Sequence, residues 1–245
     1  MTLEYYSKKK LLANGSTNAK TVKNDIRTFI MYMSPSNAND KGIDVCGHAS
    51  QGCIDACLNS AGMGVFSNVQ QGRRDKTNYY AYHRNEFLNH LAREINSKHK
   101  TAVRRDEKIA YRLNGTSDLD FVSLLNKKVD LDVSKLENAL FYDYTPNLHR
   151  ALRYKDADYY TVAFSRKEDN EDEVDIAIAN KVNVAIVFDE LPKTYKGVPV
   201  VDGDTSDLVM TKHSGVILGL IAKGKAKKDD SGFVVKVNES KFCEI

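Results

Sequence analysis

The sequence is poor in proline and in long apolar runs. Only four prolines occur among 245 residues, so no obvious linker divides the chain. No stretch approaches the roughly 18 consecutive apolar residues of a membrane span, and the start, MTLEYYSKKKLL, lacks the apolar run of a signal peptide. We therefore expect a cytoplasmic protein with no membrane partner, folded as a single domain over residues 1–245.

Familiar catalytic signatures are also absent. The sequence has no G-x4-G-K-[ST] phosphate loop, no G-x-G-x-x-G, no G-x-S-x-G elbow and no H-E-x-x-H zinc motif. The net charge of +3 is too mild to announce a nucleic-acid-binding protein. Local basic runs are usually solvated faces, but they keep a nucleic-acid-binding accessory factor as an alternative. The residues of these runs are Lys223 to Lys228, Arg73, Arg74, Arg104 and Arg105.

Cysteine is scarce, yet three of the four cysteines lie close together. Cys46, Cys53 and Cys57 have the spacing C-x6-C-x3-C in CGHASQGCIDACL, within a loop of about residues 44–64. A reducing compartment disfavours disulfides, so grouped thiols indicate metal binding or catalysis. The spacing is longer than that of a zinc knuckle and suits a [4Fe-4S] cluster, with zinc or no metal as alternatives. The candidates for the fourth ligand are His48, Cys243 and a small molecule bound to the open iron.

Short apolar segments alternate with segments that could hold helices. The predicted strands are 27–34, 108–118, 139–145, 159–169, 182–190, 197–204, 215–224 and 232–237. The predicted helices are 77–99, with Thr77 as N-cap, 118–128, 145–154 and 171–181. This alternation predicts an α/β fold, a TIM-like (β/α) barrel, complete or partial, with the cysteine-bearing loop after the first strand. A doubly wound open sheet is the competing architecture.

Polar residues follow nearly every predicted strand, at the edge that carries the active site in α/β barrels. The predicted cavity residues are Asn114, Thr116, Asp118, Asp143, Arg166, Glu168, Asp202 and Asp204. Such residues are also normal in turns and helix caps, so a structural role remains open for each of them. For Asp202 and Asp204, a tight turn and a divalent-cation site explain the same letters.

A cysteine triplet after the first strand of an α/β barrel resembles the radical S-adenosylmethionine enzymes. In that family three thiolates hold a [4Fe-4S] cluster, and the open iron binds the cofactor. The usual spacing there is C-x3-C-x2-C, and this chain carries NGTSD where that family has a glycine-rich segment. The resemblance implies S-adenosylmethionine as a second cofactor beside the cluster.

Most of the chain is similar to a group of phage proteins called gene product 88. The segments that carry this resemblance are CGHASQGCIDACLNSAGMG, RRDKT, YRLNGTSDLDF, FYDYT, FSRKEDN, VVDGD and GVILGLIAKGKAKKDDSGFV. The resemblance implies a phage origin, the host-cell cytoplasm and an iron–sulfur protein, without a defined reaction.

Three hypotheses about function follow from these features. The first is an enzyme that uses an open iron for radical or Lewis-acid chemistry on a small molecule. The second is a non-catalytic iron–sulfur protein whose cluster staples a loop or senses redox state. The third is a nucleic-acid-binding factor with a structural zinc. The sequence does not indicate the oligomeric state.

Overall fold

The computed structural model describes residues 2–15 and 26–244. The helices in that part of the chain are α1 (Leu3–Ser7), α2 (Gln51–Asp55), α3 (Ser67–Tyr82), α4 (Arg84–Arg104), α5 (Phe121–Lys128), α6 (Leu148–Arg153) and α7 (Glu171–Ala179). The strands are β1 (Leu12–Asn14), β2 (Arg27–Met31), β3 (Ile109–Arg112), β4 (Ala139–Thr145), β5 (Tyr160–Ser165), β6 (Val184–Phe188), β7 (Thr194–Tyr195), β8 (Val198–Asp202), β9 (Ile217–Ile221) and β10 (Cys243–Glu244). Short 3-10 turns lie between them.

Two units divide these residues. The first comprises residues 2–15, 26–47 and 63–142, and the second comprises residues 48–62 and 143–244. The single domain indicated by the sequence stays a prediction.

Parallel strands form the centre of the first unit. Strand β3 pairs with β2 and with β4 in the parallel sense, and β1 pairs with β2 in the antiparallel sense. Residues 28–31 of β2 and 109–111 of β3 are all buried. Continuous burial of this kind is typical of parallel strands covered on both faces, and it explains why these segments are apolar throughout.

The helices of the first unit pack through aromatic side chains. Phe87, Leu88, Leu91 and Ile95 lie on one face of α4 and are fully buried. The ring of Phe87 lies 5.4 Å from that of Tyr80 in α3, in an edge-to-face arrangement. Each such side chain contributes about 1.5–3 kcal/mol through burial alone, so this face holds α4 in place.

The helix predicted at 77–99 is two helices, because the chain breaks at His83. His83 has φ −137° and ψ 57°, outside the helical region, and separates α3 from α4. Thr77 is not an N-cap, since it lies within α3 and is fully buried. Its hydroxyl donates to the carbonyl of Arg73 at 3.0 Å and accepts from the backbone N–H of Ser34 at 2.8 Å. Thr77 thereby ties α3 to the segment after β2.

The second unit has a more complex strand order, β5-β6-β9-β8-β7-β10. The first four of these strands run parallel, and β7 pairs antiparallel with both β8 and β10. Gly219 in β9 allows its neighbours to approach closely. A Cβ at that position would lie 2.6 Å from Leu191 and 2.7 Å from Val200. The segment predicted as a strand at 232–237 forms only one bridge, between Val235 and Phe188.

Among the described residues, neither the strand order β1-β2-β3-β4 nor the order β5-β6-β9-β8-β7-β10 closes on itself, and each includes an antiparallel pair. The α/β class is therefore confirmed, whereas the predicted barrel is corrected to a sheet that is not closed. A barrel requires its first and last strands to pair. Here the three-residue β1 pairs with β2 and the two-residue β10 pairs with β7. Short antiparallel strands of this kind are a common way to end an open sheet. In being open, the structure agrees with the doubly wound sheet that was the competing prediction.

None of the helices within the described part of the chain has the length and apolar character needed to cross a membrane.

Candidate functional site

The cysteine-rich segment follows β2, which is the second strand among the described residues, rather than the first strand as the sequence predicted. It contains the short helix α2, whose N-cap Ser50 accepts from the backbone N–H of Cys53 at 3.3 Å. Glu168, just after β5, accepts from the Ser50 hydroxyl at 2.7 Å and from the Gly52 N–H at 2.8 Å. A carboxylate satisfies N–H groups that the first turn of a helix leaves without partners, so Glu168 fixes the start of α2.

Gly52 is required by this close approach. A Cβ there would lie 2.5 Å from the hydroxyl oxygen of Ser231 and 2.8 Å from the carboxylate of Glu168. Further along the segment, Ala56 packs against a small buried cluster. The buried residues of that cluster are Ala222, Ala226 and Val234. The helix α2 is therefore held by contacts at Gly52 and at Ala56 that need small residues.

The predicted [4Fe-4S] cluster is wrong. The described residues, 2–15 and 26–244, contain no group of three or more His, Cys, Asp or Glu side chains that could hold a metal ion. The thiols make local contacts instead. Cys46 Sγ accepts from the Ser36 N–H at 3.2 Å, and Cys57 Sγ accepts from the Asn59 N–H at 3.4 Å. The same finding leaves no ligand set for zinc in those residues. The predicted binding of S-adenosylmethionine required an open iron of the cluster, so it has no basis without the cluster.

The two candidates for a fourth ligand have other surroundings. His48 Nε2 lies 2.9 Å from the side-chain amide nitrogen of Asn147, which is the N-cap of α6. Cys243 lies in β10 opposite Tyr195 of β7. Burial raises the pKa of the Cys243 thiol, so this cysteine has little thiolate character at neutral pH.

Three of the predicted cavity residues, Asn114, Thr116 and Asp118, lie in the first unit and build a turn after β3. Asn114 Oδ1 accepts from the Leu119 N–H, and its amide nitrogen donates to the Leu119 carbonyl, both at 2.9 Å. The Thr116 hydroxyl donates to the Met33 carbonyl at 2.5 Å. The Asp118 N–H donates to the backbone carbonyl of Val45, just before Cys46, at 2.8 Å. The structure thus brings these three residues together near Cys46, whose thiol donates to the Thr116 carbonyl at 3.9 Å.

The other five cavity residues lie in the second unit, and Asp143 is the most deeply buried. It accepts from the Tyr160 hydroxyl at 3.1 Å and forms an ion pair with Arg150 at 3.4 Å. All three side chains are at most 3% exposed. A buried ion pair of this kind is costly to break, because removing one partner leaves an uncompensated charge.

Arg166 is held by three acceptors. Its guanidinium donates to the carbonyls of Gly232 and Phe233 at 2.5 and 3.0 Å, and to Glu171 at 3.1 Å. Glu171 also accepts from the buried hydroxyl of Tyr195. Burial and this carboxylate raise the pKa of Tyr195 well above its usual range. Arg166 therefore shapes the segment after residue 231.

Asp202 and Asp204 form a turn. Asp202 Oδ1 accepts from the Asp204 N–H at 2.8 Å. The Asp204 carboxylate accepts from the Ile221 N–H at 3.0 Å and forms an ion pair with Lys223 at 2.8 Å. The geometry supports the turn interpretation of these letters.

Two features lie outside the predicted cavity and cysteine residues, although the basic run Lys223 to Lys228 was already the basis of the nucleic-acid-binding alternative. The first is the 3-10 turn Gly224–Lys228, called the lysine turn below, which holds Lys225, Lys227 and Lys228 on the surface of the second unit. The second is a cavity of about 340 Å³ beside Lys76 in the first unit. The letters KGKAKK and RRDKT were the signals for these features, and both are common on ordinary solvated surfaces.

Comparison with curated proteins and with solved structures gives no match. The resemblance to radical S-adenosylmethionine enzymes is therefore not shown. The model of the family described as Gene product 88 matches residues 3–237, nearly the whole chain. The chain belongs to the Gene product 88 family.

Proposed function

We propose that this protein binds nucleic acid through the phosphate backbone, with the lysine turn as the contact surface. The observation that carries the proposal is the set of three exposed lysines, Lys225, Lys227 and Lys228. None of the three has a hydrogen-bond or ion-pair partner among residues 2–15 and 26–244. Unpaired lysines on one short turn are suited to phosphate, which they bind as point charges.

The turn has a rigid base. Ala226, between the lysines, is only 4% exposed and packs in the cluster with Ala222 and Val234. Because residues three apart eclipse each other in a 3-10 helix, Lys225 and Lys228 lie on the same side of the turn. The backbone is thus fixed beneath ammonium groups that project into solvent.

Neighbouring charges do not neutralise the turn completely. Asp229 directs its carboxylate to Ser231 and to the N–H of Val234. Burial tends to raise the pKa of Asp229, but these hydrogen bonds outweigh it and lower the pKa. Lys223 is engaged by Asp204, so it is not counted in the contact surface.

The arginines of the predicted basic set belong to the first unit and do not enter the proposal. Arg73 is buried, with its guanidinium 4.8 Å from the ring centre of Tyr32. Lysines bind phosphate as point charges, without the planar two-donor fork of the arginine guanidinium. The proposed binding is therefore independent of nucleotide sequence and falls steeply with salt, and it fits the cytoplasmic location expected from the sequence.

The test is fluorescence anisotropy of the full-length protein with a labelled single strand, between about 50 and 200 mM salt. The triple variant Lys225→Gln, Lys227→Gln, Lys228→Gln removes three charges. The matched control removes three exposed lysines of the first unit, Lys100, Lys127 and Lys128. The plot of log K against log salt has a negative slope. Its magnitude is expected to be smaller by about 2 in the triple variant, at roughly 0.7 per lost phosphate contact.

The control variant is expected to keep the wild-type slope. An equal loss in both variants would mean that only overall charge matters, which contradicts a defined surface. Absence of salt-dependent binding by the wild type would refute the proposal altogether. As an independent arm, Asp230→Asn removes an exposed acid beside the turn and is expected to strengthen binding, because it removes repulsion of the phosphates.

A further inference from the structure

We infer that the cavity beside Lys76 binds a small organic anion, with Lys76 and Lys10 supplying the positive charge. The cavity lies in the first unit, where residues 6–11 approach one side of α3. It is independent of the lysine turn, which belongs to the second unit. Its volume of about 340 Å³ is within the range of small-molecule sites and equals roughly eleven water volumes.

The charge in the cavity is unbalanced. Asp75 is its acidic residue, and it already accepts from Lys9 at 2.9 Å, from the Tyr5 hydroxyl at 2.8 Å and from Gln71 at 2.8 Å. Lys9 is therefore paired. Lys10 and Lys76 have no hydrogen-bond or ion-pair partner within the described ranges. The surplus charge that lines the cavity is positive.

Of these two lysines, Lys76 is the one whose charged form is disfavoured by its surroundings. Burial, followed by repulsion from Arg73, lowers the pKa of Lys76 to about 8. A partly buried ammonium without a partner is unfavourable, and an anion in the cavity would relieve that cost. Other charged groups near Lys76 are Lys9, Asp75 and Glu94, the last acting to raise its pKa.

Aromatic side chains supply the apolar part of the wall. Tyr6 and Tyr79 both line the cavity and stack on each other at 5.5 Å between ring centres. Both are buried, and burial is the largest cause that raises the pKa of each phenol. The phenols stay neutral near physiological pH and do not repel an anion. Positive charge beside an apolar wall fits a phosphate or carboxylate carried on a short carbon skeleton, and it fits bare inorganic phosphate less well.

The experiment measures how fast Lys76 in the full-length protein reacts with acetic anhydride, by mass spectrometry of its peptide. Glycerol 3-phosphate is the probe, and glycerol is the uncharged control. Bound anion keeps the amine protonated and covered, so labelling of Lys76 is expected to slow about tenfold when the probe is at ten times its dissociation constant. Lys128, exposed on α5, is the internal reference and is expected to react unchanged.

The variant Lys10→Gln tests the second cation at an exposed position, where folding is not at risk. It is expected to weaken protection of Lys76, whereas Lys100→Gln is expected to leave it unchanged. Three results would overturn the inference. One is no protection of Lys76 by millimolar glycerol 3-phosphate, another is equal protection by glycerol, and the third is equal slowing at Lys128. None of these results depends on nucleic-acid binding, so failure here and failure of the proposed function are separate.

Discussion

Glu94 makes a stability prediction that can be worked out from its contacts. It lies in α4, and its carboxylate accepts from the backbone N–H groups of Leu11 and Leu12 at 2.7 and 3.1 Å. His90 and Lys98 lie 3.3 and 3.4 Å away. Burial tends to raise the pKa of Glu94, but these contacts outweigh it and lower the pKa from 4.5 to about 2. We expect Glu94→Gln to destabilise the protein at neutral pH and much less in acid.

The size of the effect follows from linkage between protonation and folding. The difference between 4.5 and about 2 is about 2.5 pKa units, which corresponds to about 3 kcal/mol at neutral pH. Because the folded pKa lies below the unfolded one, this contribution is fully present above the unfolded value and is lost as pH falls through the folded value. At about pH 3 roughly 1.4 kcal/mol of it remains.

The assay is urea unfolding of the wild type and of Glu94→Gln at a series of pH values from neutral to about 3. Glu137→Gln is the matched control, because Glu137 is exposed and its change should cost less than about 0.5 kcal/mol. The free-energy difference for Glu94→Gln should shrink by more than half across the series. A difference that stays constant, or one below about 1 kcal/mol at neutral pH, would refute the reasoning.

Two further substitutions test the turns and the cysteine-rich segment. Gly52→Ala should push Glu168 away from the Gly52 N–H, cost about 1.5–3 kcal/mol and speed hydrogen exchange in residues 51–61, whereas Gly72→Ala, with nothing within 4 Å of its Cβ, should stabilise α3. Unchanged exchange in Gly52→Ala would contradict the anchor. Asn114→Ala should lower the free energy of unfolding by about 2–4 kcal/mol, because it removes three hydrogen bonds at a buried site, whereas Asn89→Ala at an exposed helical position should change it by less than about 0.5 kcal/mol.

Strand positions were the most predictable part of this fold. The strand predicted at 139–145 has the same bounds as β4. The helix predicted at 171–181 begins at the same residue as α7 and is two residues longer. These elements follow from local apolar patterning, which the sequence displays directly. The break at His83 and the insertion of β9 between β6 and β8 were not predictable, because they depend on contacts between residues far apart in the chain.

The candidate site shows a similar division. Polar residues after the strands were identified, and Asn114, Asp202 and Asp204 do lie in strand-end turns. The cysteine spacing failed as a predictor of metal, because spacing along a chain does not fix where each sulfur points. Cys46 Sγ accepts from Ser36, ten residues earlier, and Cys57 Sγ accepts from Asn59, two residues later. The low pKa of Lys76 could not be predicted either, since it arises from burial and from Arg73.

Gly52 in the cysteine-rich segment has a structural explanation that does not need a metal. An iron–sulfur cluster and a carboxylate both need the backbone to approach closely. Here it is the carboxylate of Glu168 that approaches Gly52. The same demand recurs at the lysine turn. Gly224 has φ +57°, and a Cβ there would lie 3.1 Å from the Cβ of Ala61. Ala61 of the cysteine-rich segment therefore lies against the start of the lysine turn, where a side chain at residue 224 would require it to shift.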